Sequence, residues 1–247
     1  MSKKQSDFWW LTPEEAVKYK YVCVEHHEPY SDEPNSSRDP LSVSWFHSLD
    51  TNGNLSKTVK RYPLAFIGQW RGICSNTNVF RSLSLFSALQ DGEELLSPFL
   101  IDIDREEYKR GKGYVQNLDE ALEATRQIVK EHLCELKEGD LRIFFTGHKG
   151  FNIEVRPQAL GIVSLDNQWR QFRDIRAAIN KTFGDNFVDT IKERLRLHDS
   201  INRWIANDGE EVNRMKFELS LCELNSLGVE EICRRSERLA LNYLSKK

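Results

Sequence analysis

Residues 97–104 read SPFLIDID, an apolar run that ends in two aspartates spaced two apart. The run has the character of a buried strand, and on a strand alternate side chains share a face. Asp102 and Asp104 therefore point the same way, with Cα atoms about 6–7 Å apart. Two carboxylates emerging together from a buried strand repel each other and lose hydration. A cation, a proton or a basic partner must offset that cost. Oxygen-only ligands at this spacing suit Mg²⁺ or Mn²⁺, which could bridge both acids and a substrate phosphate. The plainer reading is a strand running into a solvated acidic turn, DIDREE, with Arg105 neutralising it.

The rest of the composition bounds what can surround this strand. Hydrophobic residues make up 39% of the 247 and charged residues 30%, enough apolar surface to exclude an intrinsically disordered chain. No window approaches ~18 uninterrupted apolar residues, so no membrane span or membrane partner is expected. Lys plus Arg number 35 against 38 Asp plus Glu, giving a net charge of −3 and no global pull toward a polyanion. Five cysteines are scattered without a CxxC pair, which suggests neither a disulfide framework nor a thiolate zinc site. With no signal-peptide pattern at MSKKQSDFWW, a reducing cytoplasmic setting is expected. Cys23, His26 and His27 could be three metal ligands, but no fourth is evident, and a strand cysteine beside solvent-facing histidines is the simpler reading.

Along the chain, Thr12-Pro13-Glu14-Glu15 carries a helix start: a capping threonine, proline at the first position, and glutamate three residues after the cap. Residues 19–24 and 43–49 read as strands, 28–42 as a surface loop, 50–54 as a turn and 63–70 as a further strand. Asn117-Leu118-Asp119-Glu120 opens an amphipathic helix that Gly139 should end. LRIFFTG (141–147) and FNIEV (151–155) form two strands joined by a turn at His148-Lys149-Gly150. Residues 168–183 carry a second amphipathic stripe of Trp169, Phe172, Ile175, Ile179 and Phe183. The C-terminal ICRRSERLALNYLSKK reads as an amphipathic helix with Arg234, Arg235 and Arg238 on a basic face.

Two more segments could carry chemistry. Gly147 and Gly150 bracket His148 and Lys149, and such a turn can let backbone N–H groups approach a phosphate, with Lys149 adding charge and Asn152 a hydrogen bond. An ordinary hairpin also needs glycines there. From 189 to 203 the chain has four basic and three acidic residues. Its arginines could fork onto phosphate oxygens, while a solvated helix face laced with ion pairs explains the same residues.

Together these segments resemble the archaeo-eukaryotic primase superfamily, which includes primase catalytic subunits and primase-polymerases. LIDID looks like its first motif, which supplies two metal-binding aspartates. FFTGHKGFNIEV looks like the second, in which a small hydroxyl residue, a glycine, a basic residue and another glycine precede a histidine. Thr146, Gly147, His148, Lys149 and Gly150 fall in this stretch, and Asn152 stands where the family usually has that histidine. Val188-Asp189 matches the third motif, a hydrophobic residue followed by aspartate. RLHDSIN resembles the nucleotide-contacting RxPxSxN stretch, with Arg196, Ser200 and Asn202 in the matching places. There His198-Asp199 replaces a Pro-Gly-like pair, and Asp199 is a rival to Asp189 for the third carboxylate. NVFRSLSLF (78–86) looks like the arginine-containing segment upstream of the first motif.

The resemblance implies an α+β fold in which an N-terminal α/β module packs against an RRM-like module, with the active site in the cleft between them. It implies one catalytic domain over 1–247: an N-terminal part (1–77) without a motif match, a core at 78–225, and a C-terminal helix at 226–247. The implied activity is template-dependent nucleotidyl transfer by two-metal chemistry with pyrophosphate release. Asp102, Asp104 and Asp189 would hold Mg²⁺ or Mn²⁺, and no zinc is expected. Residues 146–150, Asn152, Arg196, Ser200 and Asn202 would bind the nucleoside triphosphate. Single-stranded DNA or a primer-template would be the partner, with any helicase or accessory replication or repair protein separate. The alternative is a non-catalytic nucleic-acid- or nucleotide-binding module of the same fold; a metal-dependent nuclease fits the acids but not the hairpin or the RxxxSxN segment. Residues 91–140 hold 14 acids and 7 bases, which leaves the remainder at +4. A template path belongs on that remainder, with weak, salt-sensitive binding.

Overall fold

The structure is a computed structural model. It describes residues 6–27, 30–31, 48–49, 55–56, 61–64, 78–87, 95–104, 106–109, 113–161, 174–175, 177–179, 181, 194–206 and 209–246. In chain order its framework begins with α1 (Pro13–Lys18), β1 (Tyr21–His27), β2 (Asn78–Ser82), β3 (Phe99–Asp104), α2 (Leu118–His132), β4 (Leu141–Phe145) and β5 (Gly150–Val155). It continues with β6 (Arg194–Arg196), β7 (Ile201–Ile205), β8 (Glu211–Met215), β9 (Phe217–Leu219), α3 (Leu221–Ser226) and α4 (Val229–Leu244). The fold is mixed α+β, the class the sequence leads one to expect, built on small, mostly antiparallel sheets.

A four-stranded antiparallel sheet in the order β9-β4-β5-β3 forms the centre. Alternation along its strands sends Ile101, Ile103, Ile143, Phe145, Phe151, Ile153, Val155, Phe217 and Leu219 into one apolar core, where α2, α3 and α4 contribute Leu122, Ile128, Leu224 and Ile232. Arg126 of α2 ties this layer together by donating to the Leu224 and Leu227 carbonyls at 2.8 Å each, satisfying groups left open at the end of α3. The opposite face of the same strands carries Asp102, Asp104, Phe144, Asn152 and Glu154.

That second face is covered by another sheet, in which β6, β2 and β1 lie side by side and Leu85–Phe86, Leu95–Leu96 and Arg61–Pro63 extend the array. Leu100 of β3 meets Leu83 and Leu195 there. The N-terminal turn and α1 region add Phe8, Trp10 and Tyr19 against Val22, Leu85, Leu96 and Leu197. A third sheet pairs β8 with β7, and β7 in parallel with Tyr30–Ser31. The chain leaves this third sheet for the central one at Lys216, and leaves the second for the third across residues 197–200.

The helix start at Thr12 forms a full capping box: Glu15 N–H donates to Thr12 Oγ1 at 3.2 Å, and Thr12 N–H to the Glu15 carboxylate at 2.8 Å. Asn117 caps α2 as its sequence indicates, but α2 ends at His132 rather than near Gly139. Leu133 turns into the core and the chain reverses through a 3₁₀ turn at Glu138–Asp140, because β4 must begin at Leu141 beside β5. Tyr30–Ser31 is a strand inside the stretch expected to be loop, and Ser48–Leu49 pairs with Leu55–Ser56. Residues 50–54 and 65–70 lie outside the described residues. So do Trp169, Phe172 and Phe183 of the second amphipathic stripe; residues 174–175, 177–179 and 181 are helical, with Ile179 buried. Within the basic stretch, Arg194–Arg196 and Ile201–Ile205 form β6 and β7, not a helix face, since the alternation in RLRL and INRWI has strand period; residues 189–193 lie outside the described residues. Among the described residues no helix is long and apolar enough to cross a membrane.

Candidate functional site

β3 is the edge of the central sheet, and it delivers Asp102 and Asp104 to one face as their spacing requires. Asp102 is buried and Asp104 half-buried at the strand end. The register sets Asn152 opposite Asp102 and Gly150 opposite Asp104. The Asn152 side-chain NH₂ donates to Asp102 Oδ1. A Cβ on Gly150 would lie 1.9 Å from the Ile103 carbonyl oxygen and 2.9 Å from Asp104 Oδ1, so only glycine lets β5 approach β3 this closely.

The turn between β4 and β5 is closed by Thr146. Its N–H donates to the Gly150 carbonyl at 3.0 Å, and its hydroxyl bridges the Gly150 carbonyl and N–H. Gly147 has φ +89°, a backbone conformation that other residues rarely adopt, and a Cβ there would lie 3.2 Å from Asn202 Cβ. The two glycines thus serve close packing of the turn. His148 is buried, its ring 4.0 Å from that of Trp204.

The segment 196–202 lies against this turn. Arg196 stacks its guanidinium 4.4 Å from the Phe80 ring centroid. Ser200 Oγ donates to the Leu197 carbonyl at 2.6 Å, and Asn202 Nδ2 to the Thr146 carbonyl at 3.4 Å. Asp199 has φ +53°, a left-handed position that aspartate tolerates better than most residues.

Behind these groups runs a buried charge network. Glu154 on β5 meets His198 Nε2 at 2.8 Å and lies 3.7 Å from Lys216 Nζ. Its other oxygen accepts the Trp9 indole N–H at 3.2 Å and is 3.9 Å from Arg81. Arg81, fully buried on β2, donates to the carbonyls of Asp7 at 2.9 Å and Ser82 at 3.0 Å. Asp7 accepts the His198 backbone N–H at 2.8 Å. Phe144 stacks on His198 with ring centroids 3.9 Å apart. Lys216 Nζ donates to Asn152 Oδ1 at 3.3 Å and the Arg196 carbonyl at 3.2 Å.

These contacts set the charge states. Burial by itself pushes the Glu154 carboxyl up, but the charge and hydrogen bond of His198, with Lys216 and Arg81, outweigh it and hold its pKa at about 2. Burial pulls the Lys216 ammonium down and Arg81 adds to this; Glu154 and Asp7 oppose them, leaving it at about 8.

The structure brings Asp102, Asp104, Gly150 and Asn152 together and joins them to Arg196 and Ser200 through Lys216. Asp189 lies outside the described residues. Asp199 is exposed; the Glu218 carboxyl on edge strand β9 is raised by burial and, less strongly, by Glu154 and Asp199, against the pull of Arg142 and His198. Among the described residues no three His, Cys, Asp or Glu side chains group as a metal-ligand set. Asp7, Trp9, Glu154 and Lys216 escape motif reasoning. Glu154 alone carries a signal, as an acid within the apolar FNIEV strand. Asp7 and Trp9 come from the N-terminal stretch that matches no motif. No known protein-family model matches this chain, and no curated protein matches it significantly.

Proposed function

We propose that this chain is a template-dependent nucleotidyltransferase of the primase or primase-polymerase kind. The observation that carries the reading is the convergence of three sequence segments: two same-face aspartates, the glycine-bracketed turn and the 196–202 segment. Helices on one face of a four-stranded sheet, with the second sheet against the other face, support the two-module arrangement.

The oxygen-only pair of Asp102 and Asp104 suits a hard divalent cation, and Asp104 at the strand end is partly open to solvent. In this reading Asp102, Asp104 and Asp189 would hold Mg²⁺ or Mn²⁺, which would supply charge stabilisation to the attacking and leaving oxygens. A hydroxyl oxygen of the primer or initiating nucleotide would attack the α-phosphorus, its proton passing to solvent as the bond to the departing pyrophosphate breaks. Backbone N–H groups around Gly147 and Gly150, with Lys149 and Arg196, would cradle the triphosphate; Ser200 and Asn202 would position the nucleotide. Single-stranded template runs over the more basic remainder of the chain.

Asp102→Ala with Asp104→Ala, assayed with single-stranded template, labelled nucleotides and Mn²⁺, is expected to abolish incorporation while the protein stays folded. Near-normal synthesis by that variant overturns the reading. A second reading, a nucleotide-binding module without catalysis, is favoured by one observation: the Asn152 amide is occupied by Asp102 and Lys216. Under it, the wild-type protein binds nucleotide in the same assay and makes no extended product.

A further inference from the structure

We propose that Lys216 is a positioning residue that sets the orientation of Asn152 and thereby the presentation of Asp102, while fixing the 196–200 segment to the same point. The inference rests on the reading of Asp102 as a cation ligand.

Lys216 occupies the one residue between β8 and β9, where the chain passes from the third sheet to the central one. Its N–H donates to the Ser200 carbonyl at 3.0 Å and its carbonyl accepts from Asp199 N–H at 3.1 Å. Its ammonium, fully buried, reaches Asn152 Oδ1, the Arg196 carbonyl and Glu154. An ammonium only donates and a carboxylate only accepts, whereas a primary amide has one end of each kind. Lys216 therefore claims the oxygen end of Asn152 and leaves the NH₂ end for Asp102. Asp102 meets an incoming cation with one oxygen already hydrogen-bonded and its carboxylate plane fixed. Glu154 holds the ammonium in turn, and His198 and Trp9 hold Glu154. Buried outer partners of this kind govern ligand geometry in metal sites, and their loss typically weakens metal affinity about 10–100-fold.

The test titrates Mn²⁺ alone, reading free ion by electron paramagnetic resonance. The proteins are wild type, Asp102→Asn, Lys216→Met, Asn152→Ala and the Lys216→Met/Asn152→Ala double variant. Side-chain amide NMR signals of Asn152 are recorded in wild type and Lys216→Met. Lys216→Met and Asn152→Ala are each expected to weaken Mn²⁺ binding about tenfold, with the double variant no weaker than Asn152→Ala. The Asn152 NH₂ signals are expected to shift in Lys216→Met. Losses that multiply to about a hundredfold, or Lys216→Met behaving as wild type with unmoved Asn152 signals, overturn the proposal. Mn²⁺ uptake that is absent, or indifferent to Asp102→Asn, removes the cation reading; the amide signals then decide the positioning role, a shift supporting it and no shift overturning it. Should Lys216→Met fail to fold, Lys216→Met/Glu154→Gln removes the buried pair together and is read by the same two measurements.

Discussion

The two faces of the central sheet are made from alternate residues of the same strands, yet they are held by different forces. Toward α2, α3 and α4, residues such as Ile101, Phe145, Phe151 and Ile153 pack as an apolar core. Toward the second sheet, Asn152 and Glu154 from those strands enter a buried network with Arg81, Asp7, His198 and Lys216. Apolar packing is non-directional and tolerates approximate shape; a buried charge network is directional and fails when one member is removed. One face therefore supplies stability, while the other specifies which groups stand beside Asp102.

Single truncations on either face have similar size and different character. Phe151→Ala and Glu154→Ala are each expected to cost roughly 3–5 kcal/mol in urea unfolding, the first by a cavity and the second by leaving buried cations without their partner. Adding Lys216→Met should recover roughly 1–2 kcal/mol in the Glu154→Ala background and nothing in the Phe151→Ala background. Recovery in both, or in neither, would remove the distinction between the faces.

Acid separates them next. Glu154 has a folded pKa of about 2, below its ordinary value of 4.5, so its contribution is complete above about pH 4.5 and is lost as pH falls toward 2. The contribution is roughly 3 kcal/mol. Glu154→Gln should flatten this part of the stability profile, and Phe151→Ala should leave its slope unchanged. A profile that stays steep in Glu154→Gln would assign the acid sensitivity to other carboxylates.

The smallest effect is expected outside both faces. Arg234 on α4 pairs with Glu231 at 2.5 Å and Glu230 at 2.6 Å, shorter contacts than most in the network, but the pairs are exposed. Arg234→Ala should change stability by only about 0.3–0.5 kcal/mol, measured by thermal unfolding at low and high salt. A loss comparable with that of Glu154→Ala would show that proximity, not burial, sets the strength of these pairs.

Much of the local structure was legible in the residues. The capping box at Thr12, the cap at Asn117, the hairpin strands on either side of 146–149 and the shared face of Asp102 and Asp104 all follow from short-range spacing. The strand character of 194–205 was also visible as alternation, but its charges read equally well as a helix face. The end of α2 was not legible, because its terminus is decided by where β4 must start. Lys216 looks in sequence like an ordinary surface charge, since a lone charged residue carries no mark of burial; Glu154 stood out only as an acid within an apolar strand, and Arg81 only by resemblance.

By itself, then, the sequence determined the periods and caps: which residues share a face, where α1 and α2 begin, and that two acids would stand together at the end of a strand. These depend on neighbours within a few positions. Only the tertiary structure decided that the second sheet closes over the polar face, that Trp9 reaches Glu154 and Asp7 reaches His198 across the fold, and that Lys216 and Asp102 both meet the Asn152 amide. Those contacts join residues 50 to 191 positions apart. Their energy arises from removing charges from water, which no segment does alone.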